Sequence, residues 1–110
     1  MKLLTKAIEK SLPALYSQEH VEDPMVVCHF FNPMGRGDWW ITEGSWEGEV
    51  GDPDEDFIMF GLCDLGFPEL GYVSLKEMKS VHLPFGMGIE RDMHWTPKLL
   101  SEVQEKVESR

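Results

Sequence analysis

Four short runs rich in β-branched and aromatic residues fill the middle of the chain, each bounded by turn-forming residues. They are MVVCHFF (Met25 to Phe31), WWIT (Trp39 to Thr42), FIMFGLC (Phe57 to Cys63) and LGYVSL (Leu70 to Leu75). Runs this short and this composition suit strands better than helices. Asn32-Pro33 and the glycines of PMGRGD punctuate the first gap, which predicts a hairpin between the first two runs. FIMFGLC is apolar on both faces and reads as a buried strand.

Helical periodicity is confined to the flanks. Leu4, Ile8 and Leu12 recur at four-residue spacing, joined by Leu3, Ala7 and Leu15, which predicts a helix over 3–12 ended by Pro13. Ser74 with Glu77 suits a capping box for a helix running to about His82. Thr96-Pro97 predicts the N-cap and first turn of a last helix, striped by Leu99, Leu100, Val103 and Val107. Between these helices, Ile89 to Trp95 alternates with a period of two and reads as extended. The expectation is a single α+β domain: a small antiparallel sheet of three to five strands packed with about three helices.

The charge is unevenly spread. The chain carries 20 acids against 10 Lys and Arg, a formal net charge of −10. Ten of those acids and no base lie between Asp38 and Leu75. The densest part is TEGSWEGEVGDPDED, Thr42 to Asp56. If the strands pair as read, one end of the sheet is strongly negative. That balance excludes direct duplex binding, which relies on Lys and Arg against phosphates. It disfavours an anionic membrane surface and fits a basic protein partner.

Cys28 and Cys63 sit in apolar runs, so free buried thiols in a reducing compartment are expected. The N-terminal MKLLTKAIEK has no signal-like apolar region, and FIMFGLC is far too short to span a membrane. A cytoplasmic protein is expected.

Candidate chemistry is sparse. Asp52, Asp54 and Asp56 alternate like the start of an EF-hand loop, but Phe57 stands where its glycine belongs and Cys63 where its glutamate belongs. No metal site is expected there. Glu90, Asp92 and His94 share one side of the extended segment and would need a second element to bind metal or act as acid and base. His29, beside Cys28, reads as a hydrogen-bonded histidine. Of Trp39 and Trp40, which face opposite ways, one is a candidate exposed anchor. No nucleophile motif, phosphate loop or cofactor motif is present, so no catalytic residue and no cofactor is assigned.

The stretches KLLTKAIEKSLPALYSQEHVEDP, FFNP, WWITEGS, PELGYVSLKEM and IERDMHWTPKLLSEV occur in that order over about residues 2–103. In this the chain resembles a small "domain of unknown function" family of bacterial conjugative plasmids and integrative conjugative elements, often near antirestriction-type genes. The resemblance implies a cytoplasmic bacterial accessory protein of a mobile element and transfers no catalytic residue. It draws attention to Glu43, Gly44, Glu69, Gly71, Tyr72, Glu90, Arg91, Asp92 and His94. The stretch from Ser45 to Asp56 is longer and more acidic than the family pattern.

The functional expectation is a non-enzymatic protein that binds a basic surface of a host protein and modulates it. The host factor would act in growth or nucleic-acid handling. Its candidate binding residues are Glu43, Trp46, Glu47, Glu49, Asp52, Asp54, Glu55, Asp56, Glu69, Tyr72, Glu90, Arg91, Asp92 and His94. Two other readings stand beside it: a DNA-mimic antirestriction-type inhibitor, and a small metal-dependent hydrolase using Glu90, Asp92 and His94.

Overall fold

A computed structural model describes residues 1–110. Leu3 and Leu4 are buried but extended, and α1 (Lys6–Ser11) begins only after them. Thr5 stops the helix from starting earlier. Its backbone is extended, and its hydroxyl accepts from the Ile8 N–H at 3.2 Å, an N-cap that satisfies a first-turn donor. At the other end Leu12 is already extended ahead of Pro13, as the proline demands.

The elements that follow are β1 (Met25–Val26), β2 (Cys28–Phe31), β3 (Asp38–Glu47), β4 (Asp56–Asp64), β5 (Pro68–Ser74) and α2 (Leu75–Lys79). A single 3-10 turn, Pro84–Gly86, leads to β6 (Glu90–Arg91), β7 (Lys98–Leu99) and α3 (Leu100–Glu108). Five strands form an antiparallel sheet in the order β5-β4-β3-β2-β6, while β1 and β7 pair separately. The architecture is α+β, as expected.

The run Met25 to Phe31 is not one strand. Val27 donates to the Ile41 carbonyl at 2.8 Å, and Val26 turns away to pair with Lys98. The β2–β3 hairpin forms as predicted, but β3 continues well past Thr42, to Glu47.

Each face of the sheet carries its own core. On one face Cys28, Phe30, Ile41, Phe57 and Met59 pack under Leu3, Leu4, Leu12, Leu75, Met78 and Ile89. On the other, Trp40 and Leu62 pack under Val26 and the α3 residues Leu100, Val103 and Val107. Trp40 is fully within this second core and Trp39 packs, half-buried, against the first. Neither is an exposed anchor.

One irregularity governs the middle of the sheet. Ile41 lies opposite Gly61, but Glu43, not Thr42, lies opposite Phe60. The extra residue is a β-bulge, with the Thr42 hydroxyl donating to the Phe60 carbonyl at 3.2 Å. Strict alternation would have set Glu43 opposite Met59, inside the larger core. The bulge places it on the second face instead.

Helix starts depend on distant partners. Ser74 caps α2 by accepting from the Glu77 N–H at 3.1 Å, and Asp56 adds a bond to the Lys76 N–H at 3.0 Å. Thr96 does not cap α3. That helix starts four residues later, with Lys98 and Leu99 first paired to β1. Its cap comes from across the sequence: Asp23 accepts from the Ser101 N–H at 2.9 Å and from the Ser101 hydroxyl at 2.6 Å. The predicted extended segment 89–95 is a strand only at Glu90–Arg91, because Asp92 begins a turn.

Cys28 and Cys63 are both free thiols. Burial pushes Cys28 up to about 12 despite the nearby Arg91 charge. It pushes Cys63 up to about 11, with Glu69 adding to the effect. Neither is a ready nucleophile at neutral pH. No helix is long and apolar enough to cross a membrane.

Candidate functional site

The central acids do not gather at one end of the sheet. Because β3 and β4 are antiparallel, Asp38 faces Asp64 at one end of the hairpin and Glu47 faces Asp56 at the other. Two like-charged pairs set directly across a ladder repel, so each needs a local answer. The two ends answer differently.

At the tip, residues 48–55 link the strands. Glu47, Glu49, Asp52 and Asp54 are exposed, while Glu55 and Asp56 are half-buried. Two successive turns fix the path: Asp52 donates to the Glu49 carbonyl at 3.0 Å, and Glu55 donates to the Asp52 carbonyl at 2.9 Å. The Asp52 side chain accepts from the Asp54 N–H at 2.9 Å, and the Lys76 ammonium donates to the Pro53 carbonyl. Asp56 accepts from the Ser74 hydroxyl and so serves the α2 cap. No tip carboxylate enters an ion pair with Lys, Arg or His. Trp46 lies edge-on to Phe57 at 5.3 Å between centroids, donates to Glu9 at 2.7 Å, and is still 47% exposed. The tip acids thus occupy turns, not a regular row along a strand, which is a poor imitation of evenly spaced phosphates.

At the opposite end the answer is a histidine and an arginine. The His29 Nε2 lies 2.7 Å from Asp38 Oδ1, and its Nδ1 lies 3.0 Å from Asp92 Oδ2. Both ring nitrogens thus lie within hydrogen-bond reach of a carboxylate. The ring stacks on Trp40 at 5.0 Å and 5°, with Trp95 tilted against it at 5.5 Å. Arg110 completes the set, 3.5 Å from Asp38 and 3.7 Å from Asp64. Burial pushes the Asp92 carboxyl up. The hydrogen bonds from His29 and from the His94 N–H, with the charges of both rings, outweigh it and hold Asp92 below its ordinary value. With both nitrogens occupied, His29 has none left for a substrate proton. It clamps the strand ends together.

Glu90, Asp92 and His94 do not share one strand face. Glu90 and Arg91 pair with Phe31 and Phe30, and the Arg91 guanidinium donates to the Lys2 carbonyl. Asp92 turns to His29, and exposed His94 follows in the turn. No three His, Cys, Asp or Glu side chains converge in an arrangement that holds a metal ion.

Glu43, set by the bulge, is 3% exposed. Its two oxygens accept from the Tyr16 and Gln18 N–H groups at 2.9 and 3.0 Å, while the Ser45 hydroxyl takes the Leu15 N–H at 2.8 Å. The chain after α1 is therefore pinned across the sheet by β3. Glu69 and Tyr72 are exposed on β5, the outer strand. The partners of His29, Asp38 and Arg110, and the role of Ser45, carry no local sequence signal, because each contact joins residues distant in the chain.

Fold and site together define a small α+β protein with two distinctive polar surfaces, an acidic hairpin tip and a carboxylate-clamped histidine. The chain belongs to the family described as proteins of unknown function, DUF2958, whose defining pattern matches residues 3–108. Among curated proteins and solved structures, none matches this chain.

Proposed function

We propose that this chain is a non-enzymatic cytoplasmic accessory protein of a bacterial mobile genetic element. It docks on a basic surface of a host protein through the β3–β4 tip and modulates that protein, a factor of growth or nucleic-acid handling. The observation that carries the reading is a hydrogen-bonded tip whose five outermost acids, Glu47, Glu49, Asp52, Asp54 and Glu55, have no ion-pair partner within the chain. Their charge is available to an incoming cationic surface, and Trp46 beside them offers apolar area and a face for a cation.

Charge of this kind acts mainly on encounter rate and on choice of partner, and salt screens it. The test is affinity capture with the full chain as bait, followed by mass spectrometry. A basic host protein is retained, and its retention falls steeply between about 50 and 300 mM salt, where the Debye length shrinks from roughly 14 to 6 Å. The variant carrying E47Q, E49Q, D52N, D54N and E55Q loses that protein while keeping the wild-type melting curve. Equal retention by wild type and variant would remove the basis of the proposal.

A further inference from the structure

The second face of the sheet is incompletely covered. α3 and the β1–β7 pair cover Trp40 and Leu62, but on the outer strand Leu70 and Tyr72 of this face stay exposed. There a cavity of about 300 Å³ opens between the segment Gln18–Pro24 and the outer strand β5. Thr42 and Phe60 lie on its sheet side, with Leu70 and Tyr72 along β5. Tyr72 is 58% exposed and Leu70 is 49% exposed, which is unusual for neighbours on one strand face. The rings of Phe60 and Tyr72 stand 4.9 Å apart, and Tyr16 stands 6.1 Å from Tyr72.

Every formal charge around this cavity is negative. Glu19, Glu22 and Glu43 line it, and no Lys, Arg or His does. Glu43 is buried there with only backbone N–H groups for partners and no cation. Each of its oxygens retains a second lone pair. Tyr72 registers the field: burial, then Tyr16, Glu19 and Glu43, push its hydroxyl above the ordinary tyrosine value.

A pocket with aromatic walls and a surplus of carboxylates selects a cation on an apolar stem. Its volume is at the lower end of the range for small-molecule sites, enough for one side chain and small for a cofactor. A guanidinium suits it better than an ammonium. It is planar, stacks on aromatic faces, sheds water more readily and offers forked donors to carboxylates. We propose that this cavity receives a single arginine side chain of the protein partner. The inference rests on the reading that the partner is basic, and it adds a second point of attachment on a different surface from the tip. The tip would then supply long-range attraction, and the pocket a short-range check on which basic surface is accepted.

The test uses the full chain, with N-acetyl-arginine methylamide as probe and the citrulline analogue as its neutral, near-isosteric control. Amide resonances are followed by NMR. Saturable shifts centred on Thr42, Glu43, Phe60 and Tyr72 are expected with the arginine probe and not with citrulline. Y72A and E22Q, both at exposed positions, each weaken the arginine response about fivefold, the equivalent of roughly 1 kcal/mol. The tip-neutralised variant retains it, so a failure of tip docking and a failure of the pocket are separable. Absent shifts, equal shifts with citrulline, or shifts confined to residues 47–56 overturn the proposal. So do shifts at Leu70 and Tyr72 that grow with protein concentration alone, which would assign the patch to a second copy of the chain.

Discussion

G61A yields no stably folded protein. Gly61 lies opposite the bulge in β3, where the backbone of the neighbouring strand comes unusually close. A Cβ at this position would stand 1.9 Å from the Trp40 carbonyl oxygen and 2.8 Å from the Ile41 Cα. Both are backbone atoms at the centre of the sheet, so no rotamer change relieves the clash. Either the bulge is expelled, with Glu43 shifted toward the larger core, or β3 and β4 separate. The cost is on the order of 5 kcal/mol or more, comparable with the whole stability of a domain this size. G71A is the internal control. Gly71 pairs with Gly61 across the β4–β5 ladder but has nothing within 4 Å of an added Cβ. Circular dichroism melts read the difference: G71A melts within a few degrees of wild type, whereas G61A shows no cooperative transition. A G61A protein that melts cooperatively near the wild-type temperature refutes the close approach.

H29A loses about 3 kcal/mol, the upper end of the usual range for single substitutions and in keeping with the breaking of a hydrogen-bonded, stacked cluster. Removing the ring leaves Asp38 facing Asp64 with only the half-exposed Arg110 between them, and Asp92 without its side-chain partner. It also strips the stacking from Trp40. H29Q restores one donor and much of the volume, so it recovers part of the loss. Acid unfolding supplies a second readout. The folded Asp92 titrates below its ordinary value, so the stability it contributes is present above about pH 4 and disappears as pH falls through the lowered value. With His29 gone, the largest hydrogen-bond contribution to that lowering is lost, and the difference between wild type and H29A narrows toward pH 2. An undiminished difference at that pH locates the effect in the stacking alone.

Much of the sheet was legible because strands leave a short-range record. FIMFGLC became β4 with one residue added at each end, LGYVSL became β5 with two residues added at its start and Leu75 passed to α2, and the Ser74 cap formed where its spacing placed it. The losses share one cause, which is competition from partners distant in sequence. Thr96-Pro97 has good N-cap chemistry, yet Lys98 and Leu99 pair with β1 and Asp23 supplies the cap to α3. The period-two pattern of Ile89 to Trp95 suggested a shared face for Glu90, Asp92 and His94. The pull of His29 on Asp92 turns the chain after Arg91. Local counting also located a dense block of acids but could not show that an antiparallel hairpin sends its two ends to opposite edges. Glu43 stood out in the sequence only through a resemblance. Its burial follows from a bulge of one residue, which composition and periodicity do not record.

The hairpin tip closes at the pair Glu47 and Asp56, and the Lys76 ammonium holds it at the Pro53 carbonyl. None of residues 48–55 belongs to either core, and the register below them is held by the bulge and the close approach at Gly61. Lengthening such a loop is inexpensive: doubling it costs roughly 0.6 kcal/mol of closure entropy. Change in the sequence of the tip is thereby uncoupled from folding. A tip of different length or charge fits this frame as a cartridge does, with the sheet beneath it undisturbed.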